Sequence, residues 1–190
     1  MLIPGGLQVV FPEDIWLRES TEDDALEAAD TFEGNARRKA EYFVRLSSLP
    51  TLADDSGLEV FALGGAPGVR SKRWAGASGT PLEVDAANNA ELLRRLAGLS
   101  DAQRVARYRC VLVFLRSAGA VPLVCYGDCT GRILEAPQGS GGFGYDPLFF
   151  SDELGKTFGD ASADEKDAVS HRGRALRAFL QALKTTVSAS

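Results

Sequence analysis

Val111-Leu112-Val113-Phe114-Leu115 is followed by Arg116-Ser117, the small-residue link Ala118-Gly119-Ala120, and a second long extended run, Val121 to Leu134. The first run begins at Arg104, alternates weakly, and becomes solidly apolar at Val111. Two long strands joined by so short a turn form an antiparallel hairpin. The sheet is therefore not the purely parallel sheet of a doubly wound fold. Helical patterns lie on both sides of the hairpin, so the chain reads as α/β, with helices flanking the sheet.

Upstream, Ala53-Asp54-Asp55-Ser56-Gly57-Leu58 sits between an apolar run, Leu49 to Ala53, and an alternating run, Leu58 to Leu63. The pattern predicts a strand that stops, turns at Ser56-Gly57 and resumes as a second strand. Acids in such a break are costly unless they bind something charged, and a divalent metal with an activated water suits them. If the strand instead persists through both acids, alternation sends their side chains to opposite faces. One then faces a ligand cleft and the other the core or a basic partner.

The chain has 190 residues, which predicts one domain or two lobes sharing a core. Apolar residues make up 45%, enough for that core, and the net charge of −5 argues against non-specific nucleic-acid binding. No apolar stretch approaches the ~20 residues that span a bilayer. Met1 to Gly6 has neither a basic n-region nor an apolar h-region, so no signal peptide is expected. The three cysteines, Cys110, Cys125 and Cys129, do not form a C-x-x-C pair, and the lone His171 is distant. They read as reduced thiols packed in strands, not as a zinc site, which points to the cytoplasm.

Leu7 to Phe11 predicts a short strand closed by Pro12. Glu19, Glu22, Asp23, Asp24 and Asp30 read as a solvated acidic stretch, with Glu27 set apart. Thr31 to Ser47 predicts a helix with Thr31 as N-cap and a buried stripe of Phe32, Ala36, Ala40, Phe43 and Leu46. Asn35 and Lys39 share a face of it, one turn apart. Gly64 to Gly68 is a loop, followed by the basic cluster Arg70, Lys72 and Arg73 around Trp74. Pro81 to Leu96 predicts a second helix, with Leu82, Ala86, Leu92, Leu93 and Leu96 on its apolar face. Gly139-x-Gly141-x-x-Gly144 matches a dinucleotide fingerprint only formally, because no helix follows and Pro147 interrupts. Gly155-Lys156-Thr157 lacks the earlier glycine of a P-loop. Ser162-Ala163-Asp164-Glu165 is a capping box that opens a short helix containing Lys166. Ser170 opens a further helix through Lys184, with Ala175, Leu176, Phe179, Leu180 and Leu183 as its stripe. His171 and Arg172 fall in its first turn, where free N–H groups favour anions.

Four separated stretches together carry a family resemblance. They are Thr31-Phe32-x-x-Asn35-Ala36-x-x-Lys39-Ala40; Ala53 to Leu58 with Gly65-Ala66-Pro67-Gly68 and Ser71; Gly142-Phe143-Gly144-Tyr145-Asp146-Pro147; and Lys166 with Ser170-His171-Arg172-Gly173. In this order they resemble the inosine triphosphate pyrophosphatase family, from about residue 7 to the C-terminus. The resemblance implies an elongated mixed β-sheet with flanking helices and two lobes around a central cleft. It also implies Mg2+-dependent hydrolysis of ITP, dITP and XTP to monophosphate and pyrophosphate by a homodimer. By matching position, Asp55 activates the attacking water, Glu27 and Asp54 join it on the metal side, and Ser56 contacts substrate. Asn35 and Lys39 face the phosphates. Phe143, Gly144, Tyr145 and Asp146 form the nucleobase pocket, which Lys166, His171 and Arg172 close.

One part of the family pattern is missing. The family opens with an apolar strand and a Thr/Ser-Gly-Asn-x-x-Lys loop that cradles the triphosphate, whereas Met1 to Leu7 aligns beyond that loop, within the following helix. Either the chain start is internal to a longer protein, or the truncation is real. The second case implies weakened phosphate binding, an exposed sheet edge and, as the alternative function, a catalytically impaired nucleotide-binding protein.

Overall fold

The structure, a computed structural model, describes residues 2–3, 7–17 and 26–188. Of the acidic stretch, Glu19, Glu22, Asp23 and Asp24 lie outside these residues. Five strands form the main sheet: β3 (Thr51–Val60), β4 (Val105–Leu115), β5 (Leu123–Ile133), β6 (Phe149–Ser151) and β7 (Lys156–Thr157), in that spatial order. Its ladders are all antiparallel among the described residues. A separate pair, β1 (Leu2–Ile3) and β2 (Leu7–Gln8), lies at the N-terminus, so the strand expected over Leu7 to Phe11 is shorter. Among the described residues four α-helices flank the sheet: α1 (Phe32–Ser47), α2 (Pro81–Arg95), α3 (Ala163–Val169) and α4 (His171–Ser188).

The β4–β5 hairpin is the one that the sequence predicts. Its ladder runs from Val105↔Arg132 to Phe114↔Leu123, and the Ala120 N–H donates to the Ser117 carbonyl at 3.1 Å. Gly119 takes a φ of +77°, the left-handed backbone such a turn requires.

The predicted break at Ser56-Gly57 does not occur. β3 is unbroken for ten residues and pairs with β4 from Thr51↔Leu115 to Val60↔Ala106. Gly57 instead permits a close approach: a Cβ there would lie 2.5 Å from both the Gly68 carbonyl oxygen and Ser71 Oγ. Ser71 Oγ accepts from the Leu58 N–H at 2.9 Å, and Val60 N–H donates to the Ala66 carbonyl at 3.0 Å. The segment 66–71 therefore covers one end of β3, which is the edge strand among the described residues.

Strand alternation then assigns the layers. α1 packs Phe32, Ala36, Ala40 and Val44 on the face carrying Ala53, Val111, Val113 and Leu115. α4 packs Ala175 and Phe179 on the opposite face, against Cys110, Leu112 and Cys125. Further along that second face, Leu58, Val60, Ala106, Tyr108, Cys129 and Ile133 join Leu92 and Leu96 from the α2 region, with Phe149 and Phe158. Burying each such aromatic ring contributes about 1.5–3 kcal/mol. The three cysteines are free and buried, as expected.

Two helix stripes differ from expectation. In α1 the buried row continues through Val44, while Leu46 is exposed and Phe43 only half-buried, because strict i+4 steps from Phe32 reach residue 44. In α2, Leu82 and Ala86 are exposed and Asn88 is buried beside Leu92. The expected caps form: Thr31 Oγ1 accepts from Gly34 N–H at 3.0 Å, Ser162 makes its box with Glu165, and Ser170 Oγ accepts from Gly173 N–H at 3.1 Å. No helix among the described residues is long and apolar enough to cross a membrane.

Candidate active site

The first cluster of site residues lies on the α1 face of β3. Asp55 is buried there, with its carboxylate held from two sides. Asn35 Nδ2 donates to Oδ2 at 3.0 Å, and Lys39 Nζ donates to Oδ1 at 3.0 Å. Asn35 and Lys39 reach the same carboxylate because they stand one helical turn apart. Lys39 Nζ also meets Glu27 Oε1 at 2.8 Å and the Asp54 carbonyl at 3.3 Å. Glu27 is gripped again by Arg73, through Oε2 and its backbone carbonyl, both at 2.8 Å.

Electrostatics distinguishes these groups. Burial pushes the Asp55 carboxyl above its ordinary range, and the charges of Lys39 and Asn35's hydrogen bond only partly offset this. Burial acts against the Lys39 ammonium too, but Glu27 and Asp55 outweigh it and hold that pKa up. For Glu27, burial is outweighed by Lys39 and Arg73, and the carboxyl is held down. The shared ion pair thus favours Lys39 more than Asp55, since Lys39 meets two carboxylates and Asp55 also feels Glu27.

The second cluster lies on the α4 face. Asp54, one residue from Asp55, points to this side, where Arg172 Nε donates to Oδ2 at 3.0 Å. Ser56 shares the face by alternation. The first turn of α4 is seated tightly on β5: a Cβ at Gly127 would overlap the His171 carbonyl oxygen and lie 2.5 Å from Ala175 N. The His171 ring stacks on Tyr108, centroids 4.7 Å apart and planes within 7°, and its buried Nδ1 has no partner. Burial, with Arg172 and Lys166 nearby, pushes its pKa down to about 3, so the ring is neutral at pH 7.

Asp146 anchors the rest. It accepts from the Phe143 N–H at 2.9 Å and from Tyr108 Oη at 3.4 Å, and it pairs with the Lys166 ammonium. Lys166 Nζ stands 4.3 Å from the Phe143 ring centroid and the Arg172 guanidinium 5.8 Å. Phe143 itself is 60% exposed, a large aromatic face presented to solvent. The Gly144 peptide is held by α2: its N–H donates to Asp85 Oδ2 at 2.7 Å, and its carbonyl accepts from Asn89 Nδ2 at 2.9 Å.

Three expected arrangements of side chains meet a different geometry. Asn35 does not face phosphates: it is 1% exposed, and its amide is spent on Asp55 and on the Ala29 N–H, which Oδ1 accepts at 2.8 Å. It holds the Asp55 carboxylate instead. Tyr145 is not an open stacking surface, because its ring is buried and its hydroxyl donates to the Ser71 carbonyl at 2.8 Å. Glu27, Asp54 and Asp55 do not converge as three ligands, because alternation along an unbroken strand sends Asp54 to Arg172. Among the described residues no group of three or more His, Cys, Asp and Glu side chains gathers closely enough to hold a metal ion alone. Glu27 and Asp55, sharing one ammonium, are a pair of hard oxygen donors. That suits Mg2+, which is bound by one or two carboxylates together with substrate phosphates. The sequence reading named Arg73 only as part of a basic cluster, and passed over Asp85 and Asn89. Asp85 and Asn89 carry a visible signal, two polar residues one turn apart, but their shared partner lies more than fifty residues downstream.

Residues 7–182 match the Ham1 family. The chain is 46% identical over 180 residues to the dITP/XTP pyrophosphatase of Shigella flexneri, covering 94% of this chain and 87% of that protein. It is 47% identical over 185 residues to the dITP/XTP pyrophosphatase of Ralstonia nicotianae, covering 97% and 88%. Among solved structures, the Staphylococcus aureus Ham1 protein superposes with a TM-score of 0.75 at 38% identity, over 84% of this chain and 79% of that one. With the match running through both clusters of site residues, this chain belongs to the Ham1 family.

Proposed function

We propose that this protein hydrolyses non-standard purine nucleoside triphosphates, ITP, dITP and XTP, to the nucleoside monophosphate and pyrophosphate. The observation that carries this reading is the junction at Asp54. Lys39 of the acid cluster touches its backbone carbonyl at 3.3 Å, and Arg172 of the aromatic cluster holds its carboxylate at 3.0 Å. An acid site and an aromatic, hydrogen-bonding pocket thus meet at one strand edge, as a ligand with a phosphate end and a base end requires. The dITP/XTP pyrophosphatase names of the relatives support the same substrate class.

In this reading Asp55 takes a proton from water as the water oxygen attacks the α-phosphorus. The bond from that phosphorus to the bridging oxygen breaks, and its electron pair leaves with pyrophosphate. A carboxyl raised by burial is a better base than an ordinary aspartate. Asn35 fixes the orientation of Asp55, and Lys39 supplies a cation to the phosphates. Glu27 and Asp55 would hold Mg2+, which when bound neutralises triphosphate charge. Phe143 stacks on the purine, Asp146 frames the pocket, and Lys166, His171 and Arg172 close it and read the base edge. Ser56 contacts substrate from the same face as Asp54. Donors aimed at a 6-oxo group are left unpaired by the 6-amino group of adenine, which rejects ATP. The proposal includes a homodimer, as the family resemblance implies, and a cytoplasmic location, in keeping with three free thiols.

Product analysis with dITP, XTP and ATP in the presence of Mg2+ tests this. Pyrophosphate released from dITP and XTP and little from ATP is expected. Orthophosphate as the product, or binding without hydrolysis, would overturn it. Sedimentation of the intact chain tests the dimer.

A further inference from the structure

Helix α2 presents three polar side chains toward the site: Asp85, Asn88 and Asn89. Asn88 is buried and fully used. Its Oδ1 accepts from Ala75 N–H at 2.8 Å, and its Nδ2 donates to the carbonyls of Ser71 at 3.3 Å and Lys72 at 3.0 Å. It therefore fixes the segment 71–75, within which Arg73 grips Glu27. Asp85 and Asn89, one turn apart, clamp the two ends of a single residue, Gly144, by its N–H and its carbonyl. The carboxylate-to-amide bond is charge-assisted and the stronger of the two.

This clamp ends a glycine-rich segment whose start is tied elsewhere, the Gly141 N–H donating to the Gly159 carbonyl at 2.9 Å. Gly139, Gly141, Gly142 and Gly144 lie within six residues, and Gly144 takes a φ of +62°. A glycine-rich segment has much backbone entropy to lose on ordering. Phe143 is largely exposed, and its ring rests on the Lys166 and Arg172 cations rather than in an apolar core. Its backbone is held on Asp146 through both its N–H and its carbonyl, and the next peptide is held on α2.

We propose that Asp85 and Asn89 are positioning residues for nucleobase selection: by clamping Gly144 they hold Phe143 in register with the acid cluster, which the same helix secures through Asn88. Neither side chain touches the substrate in this arrangement. The inference rests on the reading of the Phe143–Asp146 segment as the nucleobase pocket. A displaced stacking face weakens binding and blurs discrimination, while Asp55 and its partners, on the other face of β3, are untouched.

The test is steady-state pyrophosphate release with dITP and dATP, alongside melting temperatures, for wild type, Asp85→Ala, Asp85→Asn and Asn89→Ala. In Asp85→Ala, KM for dITP rises about tenfold, kcat stays within about twofold, and the preference for dITP over dATP falls by a similar factor. Asp85→Asn, whose amide oxygen still accepts from Gly144, restores most of both. Asn89→Ala shows the same direction at about threefold, and carries the comparison if Asp85→Ala does not fold. Unchanged KM and preference in folded variants would overturn the proposal. So would losses that fall equally on both triphosphates, or that Asp85→Asn fails to rescue. Absence of base preference in the wild type would instead reject the pocket reading on which the inference stands.

Discussion

Replacing His171 with glutamine should remove most of a specific sensitivity of the fold to acid. The imidazole is buried against Tyr108, and burial, with Arg172 and Lys166 beside it, moves its pKa from an ordinary 6.5 to about 3. The folded state therefore refuses a proton that the unfolded chain accepts. Stability from this group is complete above about pH 6.5 and falls as pH drops toward 3, because the unfolded state then binds more protons. At about pH 5 the difference amounts to about 2 kcal/mol relative to about pH 8. His171 is the only histidine in the chain, so no other imidazole contributes. Urea unfolding at both pH values, for wild type and His171→Gln, measures it. Asp55, held up by burial, acts oppositely, losing its contribution as pH rises through its folded pKa; Glu27, held down, loses its own as pH falls. Both are common to the two proteins and cancel in the comparison. The variant should lose about 2 kcal/mol less than wild type on acidification. Equal losses, within about 0.5 kcal/mol, would refute a buried neutral imidazole.

Other substitutions separate the two clusters. Asp55→Asn keeps size and removes the charge, and kcat for pyrophosphate release from dITP should fall at least about 100-fold with the fold intact by circular dichroism; near-wild-type turnover would sink its role as base. Phe143→Ala should raise KM for dITP about tenfold through lost stacking, with an unchanged melting temperature because the ring is already largely exposed. Gly127→Ala should destabilise by about 1–3 kcal/mol, since the added methyl collides with the first turn of α4, and thermal denaturation reads this directly.

What could be read from residues alone depended on whether the cause was local. The β4–β5 hairpin was legible because alternation and the Gly119 turn are properties of the segment itself. The capping box from Ser162 to Glu165 was legible for the same reason. Gly57 was misread because a glycine beside a serine predicts a turn as readily as a close approach, and the deciding atoms belong to Gly68 and Ser71. Asn35 and Lys39 were correctly placed on one helix face, but not their common partner across twenty residues of chain. Phe143 and Tyr145 were both placed in the nucleobase pocket, and the sequence does not say which ring is open. Only packing shows that Phe143 is the exposed ring and Tyr145 the anchor. The clamp by Asp85 and Asn89 was invisible, since sequence gives a helix its periodicity but not the loop it meets.

Lys166, Arg172 and Lys39 differ in how readily they can exchange a carboxylate for a ligand. Lys166 and Asp146 have side chains only 15% and 2% exposed, and Asp146 also holds the Phe143 N–H. Breaking that pair leaves a buried charge unpaired, so it belongs to the frame of the pocket. Arg172 and Asp54 have side chains 52% and 36% exposed. An ion pair so open to water contributes about 0–1 kcal/mol, and its partners can be exchanged at little cost. Lys39 lies between, half-buried with two acids to share. Binding of an anionic ligand should therefore begin by drawing Arg172 from Asp54 and continue with Lys39, leaving Lys166 in place. The alternation that separates Asp54 from Asp55 thus puts one acid on an open ion pair with Arg172 and its neighbour on a buried one with Lys39.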